Sequence, residues 1–173
     1  NRGSAWGIFV KELEMDGTST LSSCGNEGDG IDIGGLGKIE KGAKLTLNGN
    51  KNAGLCVYTG SNYWNGNVEI PDGVTFSAQN NGRGIYVRVG GILNMETGTV
   101  MYNSGKGYGG GVYNEGTSVL GNNVSLYNNH AVKAGDDIYN AEGASITFGN
   151  VGSNWILDDC NHTINGWDDD AEE

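Results

Sequence analysis

Asp136 and Asp137 are two adjacent carboxylates, the pattern most suggestive of acid–base chemistry in the chain. Paired carboxyls cleave glycosidic bonds when they flank a sugar ring, one as acid and one as base or nucleophile. Consecutive residues of a strand point to opposite faces, so these two meet one substrate only if a bend intervenes. Turn aspartates are the simpler expectation. His130 and His162 are the only histidines, and neither has further ligands at zinc spacing. The run Asp168-Asp169-Asp170 lacks the spaced donors of a calcium loop. Cys24, Cys56 and Cys160 form no CxxC pair, and an odd count leaves either one disulfide with a thiol or three thiols. No catalytic residue, no metal ligand and no cofactor is expected.

Binding chemistry is better represented. The stretch from Thr59 to Asn67 carries Tyr63 and Trp64 among Ser, Gly and Asn. Large amphipathic rings beside small adaptable polar residues suit recognition of sugars or protein surfaces. Tyr58, Tyr86, Tyr113 and Tyr139 each adjoin an apolar residue and return at similar intervals. They are expected to form an outward aromatic ladder, which can dock a partner or simply stabilise neighbouring strands. Tyr63, Trp64, Tyr86 and Tyr113 are therefore the candidate ligand-binding residues.

Something must hold these rings at regular intervals. The 173 residues include 32 Gly, 22 Asn and one Pro, with a net charge of −11. No apolar run reaches the length of a membrane span. An acidic chain has no electrostatic means of holding nucleic acid or an anionic membrane face. Glycine at this density disfavours helix, at roughly 1 kcal/mol per residue relative to alanine. Short alternating stretches, such as Leu45-Thr46-Leu47, Val124-Ser125-Leu126 and Ile146-Thr147-Phe148, predict strands with one buried face.

Repetition gives the architecture. Gly54-Leu55-Cys56-Val57-Tyr58, Gly84-Ile85-Tyr86, Gly111-Val112-Tyr113-Asn114 and Asp137-Ile138-Tyr139-Asn140 align, with Gly30-Ile31-Asp32-Ile33 as a looser copy. The anchors Ile31, Val57, Ile85, Val112 and Ile138 recur at 26, 28, 27 and 26 residues. In phase with them an apolar residue precedes Asn by three: Leu47 to Asn50, Val100 to Asn103, Leu126 to Asn129. Phe76 to Asn80 reads as the same feature with one extra residue. About 26 residues with two or three short strands is one coil of a parallel β-solenoid, in which equivalent side chains stack into an axial core. Asn at the corners can stack into hydrogen-bonded ladders. The ends need covering. Trp6, Phe9, Val10 and Leu13 have helical spacing, so a capping helix is expected over residues 5–14, with strand alternation of Trp6, Ile8 and Val10 close behind. Trp155, Ile156, Leu157 and Trp167 are expected to plug the last coil.

Gly109-Gly110-Gly111-Val112-Tyr113-Asn114, with Val100-Met101-Tyr102-Asn103 upstream, resembles the paired GGx[IV] and FxxN repeats of chlamydial polymorphic outer-membrane proteins and related right-handed β-helix adhesins. Tyr127-Asn128-Asn129-His130-Ala131, Ala134-Gly135-Asp136-Asp137-Ile138-Tyr139-Asn140 and Gly166-Trp167-Asp168-Asp169 look closer still to Gly/Asn-rich repeat regions of large Gram-positive gut-bacterial surface proteins. The resemblance covers about residues 28–167. It departs before residue 54, where the repeat blurs, at the Phe positions, which are Leu or Val here, and at the insertion over residues 60–67.

What the resemblance implies is a secreted or wall-attached module, part of a larger surface protein, that attaches to a host protein or glycan. Right-handed β-helices also include polygalacturonases and polysaccharide lyases. The polygalacturonase motifs Asn-Thr-Asp, Gly-His-Gly and Arg-x-Lys are absent, and no carboxylates recur in register with Arg83 or Arg88, as a lyase would need. The expectation is an all-β, right-handed parallel β-helix of about five coils, 26–28 residues each, with capped ends. Residues 1–27 form a cap and entry segment, 28–143 the coils, and 144–173 the last coil, cap and acidic tail. Its role is non-catalytic binding, with a carbohydrate-active enzyme or a passive spacer as alternatives.

Overall fold

The computed structural model describes residues 7–60, 64–149 and 157–159. The described chain is all-β and winds into a parallel solenoid of about five turns. Three faces are stacked from successive coils. The first holds Ile8–Val10, Ile31–Ile33, Ala53–Val57, Arg83–Val87, Val112–Asn114, Ile138–Asn140 and Leu157–Asp159, in that order. The second starts with Leu13–Met15, Leu36–Ile39 and Asn67–Ile70, and the third with Thr20–Cys24, Lys44–Asn48 and Thr75–Gln79. In the next two coils one long strand, Ile92–Met101 and then Thr117–Tyr127, serves both of these faces. Ser145–Phe148 closes the second face. Among the described residues every ladder between coils is parallel, and the one antiparallel pair joins Thr59–Gly60 to Trp64–Asn65 inside the insertion.

Alternation decides what is buried. On the first face Ile8, Ile31, Leu55, Ile85, Val112 and Ile138 stack inward in strict register. From Ile31 onward each is essentially inaccessible to solvent. Ile39, Ile70, Met95 and Leu120 do the same on the second face, and Leu47, Ala78, Val100 and Leu126 on the third. Stacked coils lie about 4.8 Å apart, so each aliphatic meets its own counterparts above and below. Packing of equals on equals is what fixes the register, because a one-residue slip would turn the whole column outward.

Two details of the repeat differ from its sequence reading. Val57 pairs with Ile33 and Val87, and the counterpart of Ile31 and Ile85 is Leu55. Coil lengths thus run 24, 30, 27 and 26 residues, and the insertion is accommodated wholly in the third coil. The corner asparagine of that coil is Asn81, three after Ala78, so the spacing holds without an extra residue. Residues 5–14 also differ: the described part contains the strands Ile8–Val10 and Leu13–Met15, with no helix. Helical and alternating patterns overlap there, and parallel pairing with Ile31–Ile33 decides for strand. The segment read as an entry cap is, over residues 7–27, a coil of the stack.

The corner after the third face is built by asparagine. Asn26, Asn50, Asn81, Asn103 and Asn129 form one ladder, each carboxamide Nδ2 donating to the next Oδ1 at 2.7–3.0 Å. Asn129 ends it by donating to Asp137 Oδ1 at 2.9 Å. The residue before each ladder Asn is in the left-handed region: Gly25, Gly49, Asn80, Tyr102 and Asn128. Beside the ladder runs a column of coil-start glycines. A Cβ on Gly84 would fall on Val100, 2.6 Å from the Gly111 carbonyl oxygen and 2.9 Å from Asn103 Nδ2. Gly30, Gly54 and Gly111 are confined in the same way. In the last coil Asp137 takes the glycine slot.

Candidate functional site

The outward residues of the first face form two neighbouring columns. The residue after each inward anchor gives Phe9, Asp32, Cys56, Tyr86, Tyr113 and Tyr139. Two residues further on, backbone bonds to the preceding coil place Gly34, Tyr58, Arg88, Glu115 and Ala141 in equivalent slots. The second coil therefore offers only Asp32 and Gly34 where its neighbours carry rings and long chains. A depression follows, a cavity of about 390 Å³ lined by Phe9, Asp32, Tyr58 and Arg88.

Its walls are aromatic. Phe9, 55% exposed, stands edge-on to Tyr58 at 6.1 Å between centroids. The Arg88 guanidinium lies 5.2 Å from the Tyr58 ring centre and 5.1 Å from that of Tyr86. Its floor is charged. Asp32 is only 4% exposed and clusters with Asp29 and the Cys56 thiol, while Arg88 supplies the compensating positive charge. Asp29 is fixed in turn by the Ala53 N–H, which donates to its Oδ1 at 2.7 Å.

Burial, followed by repulsion from Asp29, pushes the Asp32 carboxyl up to about 6. Burial pushes the Cys56 thiol far above its usual range, and the two carboxylates add to this. Cys56 is thus a packed thiol and not a nucleophile. Two buried atoms of the site have no hydrogen-bond partner: Asp32 Oδ1, an acceptor, and Arg88 Nε, a donor.

Asp29, Asp32 and Cys56 also bring potential metal-ligating atoms within 4.8 Å of one another. The Arg88 guanidinium already balances the charge of this cluster. A cation there would have to displace that guanidinium.

Tyr86 and Tyr113 stack coil on coil, 5.1 Å apart and 13° from parallel. Both phenols donate to Glu115, at 2.6 and 2.8 Å, and Arg83 lies over both rings at 5.4 and 5.1 Å. Burial and this acceptor push the Tyr113 hydroxyl up to about 12, and that of Tyr86 higher still. Their faces are engaged with each other and with guanidinium groups; what they present outward is edges. Tyr113 continues to Tyr139 at 5.9 Å and Tyr108 at 6.5 Å. Tyr58 is outside this ladder, because Cys56 holds the corresponding slot. Tyr63 lies outside the described residues. Trp64 is described only in its backbone, paired antiparallel with Gly60.

The other residues weighed for chemistry have structural contacts. Asp136 Oδ1 accepts from the Ala131 N–H at 2.7 Å and lies 3.4 Å from His130 Nδ1. Asp137 ends the asparagine ladder. Cys24 is exposed and Cys56 buried, both as free thiols. Cys160, His162 and Asp168–Asp170 lie outside the described residues.

Sequence reading places Phe9 in the cap and weighs Arg88 only as a lyase residue, and it proposes neither of them, nor Asp29 or Asp32, for ligand binding. One signal was available: in Ile31-Asp32-Ile33 an aspartate occupies the slot that holds Tyr in later copies. Among the described residues no helix is long and apolar enough to cross a membrane. Comparison with protein-family models, with curated proteins and with solved structures finds no match.

Proposed function

We propose that this chain is a non-catalytic binding module of a bacterial cell-surface protein, meeting a host protein or glycan through the first face. The observation that carries this reading is the composition and rigidity of that face. Phe9, Tyr58, Arg88, Tyr86, Tyr113, Arg83 and Tyr139 form a nearly continuous run of rings and guanidinium groups along the axis. Aromatic residues and arginine dominate binding energetics at interfaces. Side chains already locked by stacking and by Glu115 lose little further freedom when a partner arrives.

The arrangement of carboxyls supports binding over hydrolysis. Asp29 and Asp32 are 5% and 4% exposed and cluster with the buried Cys56 sulfur, whereas the two carboxyls of a glycosidase flank an accessible gap that holds the scissile bond. Asp136 and Asp137 are committed to the Ala131 N–H and to Asn129.

The test is to probe arrays of mammalian glycans and of host surface and matrix proteins with the labelled 173-residue chain. A specific hit, weakened by Phe9→Ala at unchanged thermal stability, is the expected result, since Phe9 is exposed and outside the core. Absence of any signal above that of an equally acidic control protein would reject the module reading in favour of a spacer.

A further inference from the structure

We infer that the cavity among Phe9, Asp32, Tyr58 and Arg88 is a subsite for one neutral sugar residue of a glycan. The inference rests on the binding-module reading and assigns its ligand class and position. Four observations converge on it. The volume, about 390 Å³, lies at the small end of the range for ligand pockets, roughly 300–1,000 Å³. Phe9 and Tyr58 supply ring surface for the C–H face of a pyranose. Asp32 Oδ1 is a buried acceptor without a donor, and Arg88 Nε a buried donor without an acceptor. Each such atom costs about 1–3 kcal/mol while unmet, and both belong to residues that line the cavity, where a small side-chain rotation toward a ligand recovers that cost.

The needed ligand must bring one donor and one acceptor to the same edge, with an apolar face beside them. Neighbouring hydroxyls on a sugar ring do this: one donates to Asp32 while the other accepts from Arg88. A simple cation would satisfy Asp32 and leave Arg88 Nε unmet, next to a like charge. An anion would face Asp29 and Asp32 in a chain of net charge −11. A residue of an extended peptide also offers its N–H and C=O on one edge; what favours a sugar is the ring surface of Phe9 and Tyr58, which suits the C–H face of a pyranose.

The surrounding fold explains why the site can stay open. Asp32 is 4% exposed and set in backbone register with Cys56 in the next coil, so its carboxyl keeps its position. Gly34 leaves the neighbouring outward slot without a side chain. Phe9 sits at the mouth, where removal of its ring leaves the core untouched.

Saturation-transfer NMR on the 173-residue chain, with a panel of methyl glycosides, tests this. The panel holds neutral hexosides and N-acetylhexosaminides, and a uronide and a sialoside as anionic members. At least one neutral member is expected to bind, and the anionic ones to bind at least tenfold more weakly. Phe9→Ala and Tyr58→Ala should each weaken the neutral sugar tenfold or more, while Tyr102→Ala, an exposed ring on a different face, should leave it unchanged. Phe9→Ala keeps the test decisive even where an Arg88 variant fails to fold. Binding that is indifferent to Phe9 and Tyr58, or a preference for the anionic glycosides, overturns the subsite. Host-protein binding on the arrays with no glycoside signal overturns the subsite while leaving the module standing. Failure on both the arrays and the panel rejects both.

Discussion

Removal of one rung should show how much of this fold depends on its asparagine ladder. Asn103 is 1% exposed, and its side chain makes four hydrogen bonds. Its Nδ2 donates to the Ala78 carbonyl at 3.0 Å and to Asn129 Oδ1 at 2.9 Å. Its Oδ1 accepts from the Asn81 backbone N–H at 2.9 Å and from Asn81 Nδ2 at 3.0 Å. Asn103→Ala deletes all four at once. Asn129 Oδ1 keeps the Asn103 backbone N–H, so three buried groups lose a partner: the Ala78 carbonyl, the Asn81 N–H and one hydrogen of the Asn81 amide.

At about 1–3 kcal/mol for each of the three unmet buried groups, the loss should be about 3–9 kcal/mol, against a total stability of about 5–15 kcal/mol for an ordinary domain. Urea unfolding followed by far-UV circular dichroism measures this directly. Because each coil contacts only its neighbours, the transition should also broaden, as coils on the two sides of the break uncouple. Asn123→Ala is the control. It deletes the same carboxamide from an exposed site with one bond, to Asp72 at 3.0 Å, and should change stability by no more than about 0.5 kcal/mol. If Asn103→Ala cost less than about 1 kcal/mol, the ladder would be ornament, and the apolar columns alone would hold the coils.

Asp32→Asn should flatten part of the pH dependence of stability. The Asp32 carboxyl titrates near 6 in the folded chain and near 3.8 when free, so between these values the folded state holds more protons. Its contribution is therefore fully present below about pH 4 and lost as pH rises through about 6, a change of about 2–3 kcal/mol. The Asn variant should lack this slope in thermal melts from pH 4 to 7, and an unchanged slope would refute the assignment. Gly84→Ala should cost about 3 kcal/mol in the same urea assay, because its Cβ would meet the Gly111 carbonyl, which cannot move without breaking the 2.8 Å bond from the Ile85 N–H. Tolerance of alanine there would mean that the glycine column owes nothing to space.

The coils were legible because a solenoid repeats its side chains as well as its backbone. Ile85, Val112 and Ile138 announced a stack because each must meet the others, and so did Asn103 and Asn129. Errors came where two nearby residues of the right type competed for one slot. Leu55 and Val57 both face inward on one strand, and Asn80 and Asn81 stand side by side, one in the left-handed bend and one in the ladder. Pairing across coils settles such choices, and a single copy of the repeat contains no information about it. At the N-terminus the spacing of Phe9, Val10 and Leu13 fits a helix as well as it fits two strands and a corner.

The cavity was hidden for a deeper reason. Sequence repetition draws attention to what recurs, and the cavity exists where recurrence fails. Tyr86, Tyr113 and Tyr139 keep the outward slot filled, but Cys56 and Asp32 leave it nearly empty. Gly34 empties the slot beside it, and Tyr58 and Arg88 arrive from the next two coils to wall the gap.

A β-solenoid is suited to this kind of site. Its inward columns carry the folding requirement and tolerate few changes, while the outward columns repeat a scaffold position at fixed intervals. A departure from the repeat in one coil makes a recess, and the unbroken copies on either side supply its walls already in place. The same geometry explains why the buried charge can persist. Asp32 lies one coil from Cys56 in the same column, so the thiol, Asp29 and Arg88 surround it without any loop having to fold over it. The raised titration of Asp32 and the two unmet polar atoms are the energetic cost of holding a polar floor under aromatic walls. Only the core-facing half of each strand has to be correct for the coils to stack. The outward half is therefore free to carry a partly unsatisfied group, and it does so beside the open space where a ligand could complete it.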